Sequence, residues 1–270
     1  MSVEQAPAAG GDLRATRAVT ALLGVRIDRA SLPELLTRIV EALARRSPPH
    51  VFACANPHSL VLAQRDREFH EALCRADAVV ADGVGIILAA NVVGREIGPR
   101  ITGTDFFLAV MKMLDDRGGG RVYFFGSKPD VLASIEARIS REFPRVVVCG
   151  ACAPPFDRWT DDENARMVAA INAAAPDVLW VGMTAPKQEC WVERNRLRLI
   201  VPIIGSIGAV FDYYGGQVRR APDWACALGL EWLIRLSRDP ARLWRRTLVS
   251  APRFLLLVVR EAWFTSSGGA

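Results

Sequence analysis

The sequence predicts an α/β protein: a mostly parallel sheet flanked by helices, with a helical appendage at the C-terminus. Three observations carry this reading. From about residue 18, short apolar runs alternate with longer amphipathic stretches. The runs are uniformly apolar, which suits strands covered on both faces, the condition of a parallel sheet. Basic charge is concentrated late: nine Arg and three acids lie between Arg219 and Arg260, in a 270-residue chain of net charge +5. A hydrophobic content of 51% supplies ample material for a core.

The elements follow in order. Residues 1–17 lack the apolar stretch of a signal peptide and are expected to form a disordered lead-in. "ALLGVRID" reads as a strand or hairpin. Ser31 starts a helix, with Glu34 three residues on as a capping box. "VFACA" (51–55) is a buried strand, and Asn56-Pro57 ends it with an N-cap followed by Pro at the first helical position. A helix is expected through about Cys74, then the strand "AVVA" (78–81), which leads to Asp82. Thr104 can cap "DFFLAVMKMLDD", "RVYFF" is a strand, and Ser127 can cap "KPDVLASIEARISREF". "RVVVCG", a helix near 161–174, "DVLWVG", the helix "PKQECWVERNRLRL" and "IVPIIG" complete the alternation. The composition shift near Arg219 divides the chain into the lead-in, an 18–218 core of Rossmann-like build and a 219–265 appendage. No apolar run of about 18 residues occurs, so no transmembrane helix is expected. The six Cys lie scattered, which suits reduced thiols.

In parallel sheets, ligands collect where strand carboxyl ends lead into helix N-termini. That rule selects Asn56, Asp82, "GSKPD" (126–130), "GMTAPKQE" (182–189) and "GSIGAVFD" (205–212). Asp82 has two readings: an N-cap for "VGIILAANVV", or a general base at the mouth of a cleft. Gly83 and Gly85 would let a ligand approach the backbone. Asn56 is either a helix start or a ligand contact. "PRITGTD" (99–105) sets Arg100 beside Thr102, Gly103 and Thr104 before a helix, which suits either a phosphate or sugar hydroxyl, or a capped helix with a solvated Arg. No G-x-G-x-x-G, no P-loop and no D-x-D occurs. "CGAC" (149–152) runs into Pro and Asp rather than a helix start, and the three His show no ligand spacing; neither signals a metal.

The tail mixes Trp, Leu and Arg. Arg219, Arg220, Arg235, Arg242, Arg245 and Arg246 with Trp224, Trp232 and Trp244 suit an interfacial membrane helix pair. The other reading is a pair of helices packed on the core with a solvated basic face. Nucleic acid is disfavoured by the high apolar fraction.

The blocks "CANPHSL", "ADGVGI", "RITGTDFF", "YFFGSKP", "VLWVGMTAPKQECW", "GSIGAVFDYYGG" and "RAPDWACALGLEWLIRLSRDPARLWRR", taken in order over about residues 20–260, resemble the WecG/TagA/CpsF glycosyltransferases. The resemblance implies transfer of a sugar, such as N-acetylmannosamine, its uronic acid or glucose, from a UDP-sugar donor. The acceptor it implies is a polyprenyl-diphosphate-linked saccharide, and the transfer inverts the anomeric centre. Such enzymes work on the inner face of the cytoplasmic membrane, building teichoic-acid linkages, enterobacterial antigens and exopolysaccharides. Carried over by residue, Asp82 is the catalytic base, and Asn56, Arg100 and Gln188 contact the sugars. The family often has Thr where this chain has Cys54. The edge loops add Gly83, Thr102, Gly103, Asp105, Gly126, Ser127, Lys128, Gly205 and Asp212 as candidate substrate contacts. No cofactor and no metal are expected, and a homo-oligomer is allowed. Two other classes share parts of the pattern: a Rossmann-type nucleotide-dependent oxidoreductase, against which the missing glycine fingerprint counts, and a non-catalytic membrane-surface protein.

Overall fold

The computed structural model describes residues 17–218, 222, 225, 231–238, 244 and 248–267. "ALLGVRID" is a hairpin. β1 (Val19–Leu22) pairs antiparallel with β2 (Val25–Asp28) through a two-residue turn. Leu23 and Gly24 both take positive φ there, 51° and 77°, as the mirror-image turn matching strand twist demands. Arg17, the last residue of the expected lead-in, already belongs to the fold: with Arg38 it neutralises the buried carboxylate of Asp28, at 3.1 and 2.7 Å.

α1 (Leu32–Arg45) begins with the expected Ser31–Glu34 capping box. β3 (His50–Ala55) follows, and then two helices, α2 (Pro57–Ala63) and α3 (Arg67–Arg75), replace the single expected one. The break falls where Asp66 accepts the Phe69 N–H at 3.0 Å, recapping the chain as a new helix. β4 (Ala78–Ala81), α4 (Val84–Val92) and α5 (Gly103–Asp116) come next. α5 is capped by Thr102 rather than Thr104, because Asp105 stands at the third helical position and closes a reciprocal box with Thr102. β5 (Gly120–Gly126) leads to α6 (Pro129–Glu142), capped at Lys128. Ser127 cannot serve: its φ of +62° is left-handed, whereas a cap residue is extended.

The remainder runs β6 (Val146–Cys152), α7 (Asp161–Ala173), β7 (Val178–Gly182), α8 (Lys187–Asn195), β8 (Ile203–Ser206) and α9 (Val210–Tyr214). Two helices of the tail are described, α10 (Glu231–Arg238) and α11 (Ser250–Ser267). "CGAC" lies inside β6, where a bulge at Cys149 interrupts the alternation and both Cys149 and Cys152 pack against the same core. Burial raises both thiol pKa values, which suits inert thiols rather than a redox pair.

The six long-sheet strands are all parallel, in the order β4-β3-β8-β7-β5-β6. The expected fold class is the one observed. Each central strand buries both faces. In β7, Leu179 and Val181 enter one core, and Val178 and Trp180 the other. The second core is aromatic: Phe52 stacks on Phe106 at 3.6 Å, and Phe106 and Phe107 set their edges against Trp180.

α11 is not a loose appendage. Phe254 and Val258 are buried in the first core, and Ser250 Oγ lies 2.8 Å from His58 Nδ1. Glu261 accepts from the Leu23 N–H and from Arg95. Its opposite side exposes Leu255, Leu256, Val259, Trp263 and Phe264. This helix packs on the core and also presents an apolar outer face. No helix among the described residues is long and apolar enough to cross a membrane.

Candidate active site

The carboxyl ends of β3, β4, β5, β7 and β8 share one edge of the sheet. Ala55 of β3 pairs with Ala81 of β4, and the Asp82 N–H continues the ladder to the Ala55 carbonyl at 2.7 Å. Asp82 is half-buried, two residues before the start of α4. The cap position belongs to Gly83, whose φ of +119° admits no ordinary cap geometry. The N-cap reading of Asp82 therefore falls away. A Cβ on Gly83 would meet nothing within 4 Å, so space opens directly beside the acid.

The chain returns to the end of β4 at Arg100. The Ile101 N–H bonds the Ala81 carbonyl at 3.1 Å, which lays the Arg100–Ile101 segment along the outer edge of β4. Thr102 and Asp105 are committed to each other. Thr102 Oγ1 accepts the Asp105 N–H at 3.1 Å, and Asp105 Oδ2 accepts the Thr102 N–H at 3.0 Å. Gly103 lets the first turn of α5 approach β8: a Cβ there would lie 3.3 Å from the Ile207 carbonyl oxygen. Asn56 caps α2, its Oδ1 accepting the Ser59 N–H at 3.0 Å. Its position follows from Pro57, which fixes the first turn of α2.

The second half of the edge is the switch point of the sheet. From β5 the chain turns toward β6, while from its neighbour β7 it turns the opposite way, toward β8. Ligands of open α/β sheets bind in the crevice this creates. Gly126 and Gly182 face each other there, and a Cβ on Gly126 would lie 2.5 Å from the Gly182 carbonyl oxygen. Ser127 and Lys128 rise from this pair at the N-terminus of α6, where anions are stabilised. Gln188 lies buried on the β7 side, its Oε1 accepting the Met183 N–H at 3.3 Å and its Nε2 donating to Glu189 Oε1 at 2.8 Å. Asp212 is half-buried in α9, just beyond the β8 loop. Gly205 is the exception among the candidates. It sits inside β8 beneath Trp180, where a Cβ would lie 2.4 Å from the indole. Its smallness serves the aromatic core.

Two residues of the selected loops were not singled out in the sequence. Glu189 is 5% exposed, and with Ser206 it lines a small cavity beneath the edge. Cys54 shows how closely the acids gather. Burial foremost, then the charges of Asp82, Glu189 and Asp105, raise its thiol pKa well above the usual value. The Cys54 thiol of β3 thus feels the charges of acids that follow β4 and that belong to α5 and α8. The position of Glu189 between two residues of an inward helical face, Gln188 and Cys190, was the available signal. Lys187 adds a tie across the crevice, donating to the Phe156 carbonyl at 3.0 Å and lying over the Trp159 ring. Among the described residues, no group of three or more His, Cys, Asp or Glu is arranged to hold a metal ion.

Of the tail residues, Trp232 and Trp244 are exposed. Arg235 falls on α10, its side chain outside the described residues. Arg219, Arg220, Trp224, Arg242, Arg245 and Arg246 also lie outside them.

A parallel sheet with an acid, an Arg segment and a glycine-paired switch point along its carboxyl edge has the form of an α/β enzyme whose substrates bind at that edge. The chain belongs to the WecG/TagA/CpsF glycosyl transferase family, whose model matches residues 20–268. It is 29% identical over 212 residues to the N-acetylglucosaminyldiphosphoundecaprenol N-acetyl-beta-D-mannosaminyltransferase of Bacillus subtilis strain 168, covering 78% of this chain and 79% of that protein. The protein of the same name from Bacillus spizizenii is 30% identical over 209 residues, 77% of each chain. This chain is a glycosyltransferase.

Proposed function

We propose that this enzyme transfers N-acetylmannosamine from a UDP-activated donor to N-acetylglucosamine carried on a polyprenyl diphosphate, with inversion. The acceptor and sugar are those in the names of both Bacillus relatives. The observation that carries the mechanism is Asp82, set at the end of β4 beside open space and displaced from the cap of α4. The acceptor hydroxyl gives its proton to the Asp82 carboxylate as its oxygen bonds the anomeric carbon. The bond from that carbon to the diphosphate breaks on the opposite face, and the nucleotide leaves with the electron pair. One carboxylate suffices for such a displacement. Arg100 and the N-termini of α5 and α6 offset the charge growing on the leaving diphosphate, so the reaction needs no divalent ion. The basic, Trp-bearing tail holds the enzyme on the inner face of the cytoplasmic membrane, where the acceptor is confined.

The test is direct. The purified chain is mixed with UDP-N-acetylmannosamine and a lipid-diphosphate N-acetylglucosamine, and the product is weighed by mass spectrometry. One added N-acetylhexosamine, formed equally in EDTA, is the expected result. Consumption of a different nucleotide sugar would overturn the choice of donor. Loss of transfer in EDTA with rescue by magnesium or manganese would overturn the account of the leaving group.

A further inference from the structure

We propose that α4, the helix that starts immediately after Asp82, is itself a membrane-inserting element, and that its outer face joins that of α11 to form one docking surface for the lipid bilayer. The proposal rests on the membrane-bound acceptor read above and extends the contact from the tail to the catalytic edge. α4 reads "VGIILAANV", with no charge along its length. Its inner side is packed: Ile86, Ala89 and Ala90 are buried. Leu88 and Val92, one turn apart, are nevertheless 58% and 68% exposed, and the one polar residue on that side is Asn91. A solvated helix would carry charge on such a face.

The neighbour of this face says what covers it. α11 packs against α4. The pair is fixed by Arg95, just past the end of α4, whose guanidinium lies 2.9 Å from the Glu261 carboxylate of α11. Leu255, Leu256, Val259 and Phe264 are exposed on α11, so two helices held together present apolar side chains outward. Arg253 and Arg260 are exposed on α11 as well, and they suit an anionic headgroup layer more than the apolar core of a second subunit. The geometry also suits the chemistry. From Gly83 to Leu88 is about 8 Å along a helix axis, and interfacial helices sink roughly 5–10 Å into the headgroup and acyl boundary. A helix docked by its outer face lies in the plane of the interface. Asp82, about a turn and a half along the axis from Leu88, therefore stays at the membrane surface beside the headgroups, where the diphosphate of a lipid-linked acceptor sits.

The experiment measures full-length protein on phosphatidylcholine vesicles with and without phosphatidylglycerol. Three variants are compared: Leu88→Glu with Val92→Glu, Asn91→Leu, and Leu256→Glu with Val259→Glu on α11. The first should bind anionic vesicles at least about tenfold more weakly than the parent. It should keep its thermal midpoint and its turnover of a water-soluble short-chain acceptor. Asn91→Leu, which extends the apolar face, should bind about threefold more tightly or better. The α11 pair should also weaken binding. If the α11 pair weakens binding while both α4 variants bind as the parent does, the inference about α4 is overturned and the tail reading stands. A parent that ignores vesicles altogether overturns both. A Leu88→Glu, Val92→Glu protein that binds vesicles normally but dissociates from an oligomer into monomers in light scattering would make this face a contact between copies, and would overturn the proposal.

Discussion

His50 is buried at the amino end of β3, and burial pushes its imidazole pKa down from 6.5 to about 4. Folding therefore holds it neutral. Below about pH 6.5 the unfolded chain takes up a proton that the folded chain refuses until about pH 4. Stability from this group is thus complete above the unfolded pKa and is lost as pH falls through that window, by about 3 kcal/mol. Urea denaturation at pH 7 and pH 4.5 should show the parent losing more stability than His50→Leu. Parallel losses would mean His50 titrates normally in the folded protein. At this scale the sequence spoke unevenly about the edge. Asp82 and Asn56 were readable because each ends an apolar run of strand length. Glu189 was not, since a buried carboxylate beside a buried amide looks, in a line of letters, like the solvated side of a helix. Thr102 and Asp105 were each expected to meet substrate, yet their polar groups turn out to hold each other.

Elements are placed by close contacts that only small residues permit. Gly85, in the first turn of α4, would put a Cβ 2.7 Å from Cγ of Pro57, the first residue of α2. Gly85→Ala must therefore push the Asp82 loop away from the Asn56 loop, at a typical overpacking cost of about 1–3 kcal/mol. A useful comparison is Gly120→Ala at the amino end of β5, where the new methyl would meet Leu114 at 2.9 Å, away from the carboxyl edge. Both variants should melt several degrees lower, at about 2–4 °C per kcal/mol for a chain of this size. Only Gly85→Ala should also lose kcat/KM, by about tenfold or more, since misplacement by about 1 Å is costly in an active site. Equal turnover in the two variants would remove the α2–α4 contact from the catalytic account. The helix boundaries misread in the sequence have one cause. Several residues in a short loop were chemically able to cap, and backbone conformation chose among them. Asp66, Thr102 and Lys128 stand where the chain is extended, while Ser127 is left-handed.

For the whole molecule, the alternation of apolar runs with amphipathic helices was enough for a parallel sheet, because strands buried on both faces have no other home. Their order was not readable. β8 lies between β3 and β7, but its "IIGS" is no more apolar than its rivals, and nothing local to it names its neighbours. The switch point between β5 and β7 follows from that order, so the role of the Gly126–Gly182 pair emerges only from the assembled sheet. What the assembly produces is a single edge on which Asp82 and Arg100 stand at one end and the Ser127–Lys128 and Gln188 loops at the other. The central claim is that Asp82 is the base that drives transfer. The measurement that tests it most directly is the rate of sugar transfer by Asp82→Asn at saturating donor and acceptor, with the thermal midpoint recorded alongside. The account predicts an unchanged midpoint and a kcat lower by at least about 10²-fold, the scale of a lost general base. A folded Asp82→Asn enzyme that turns over at close to the parent rate would contradict it.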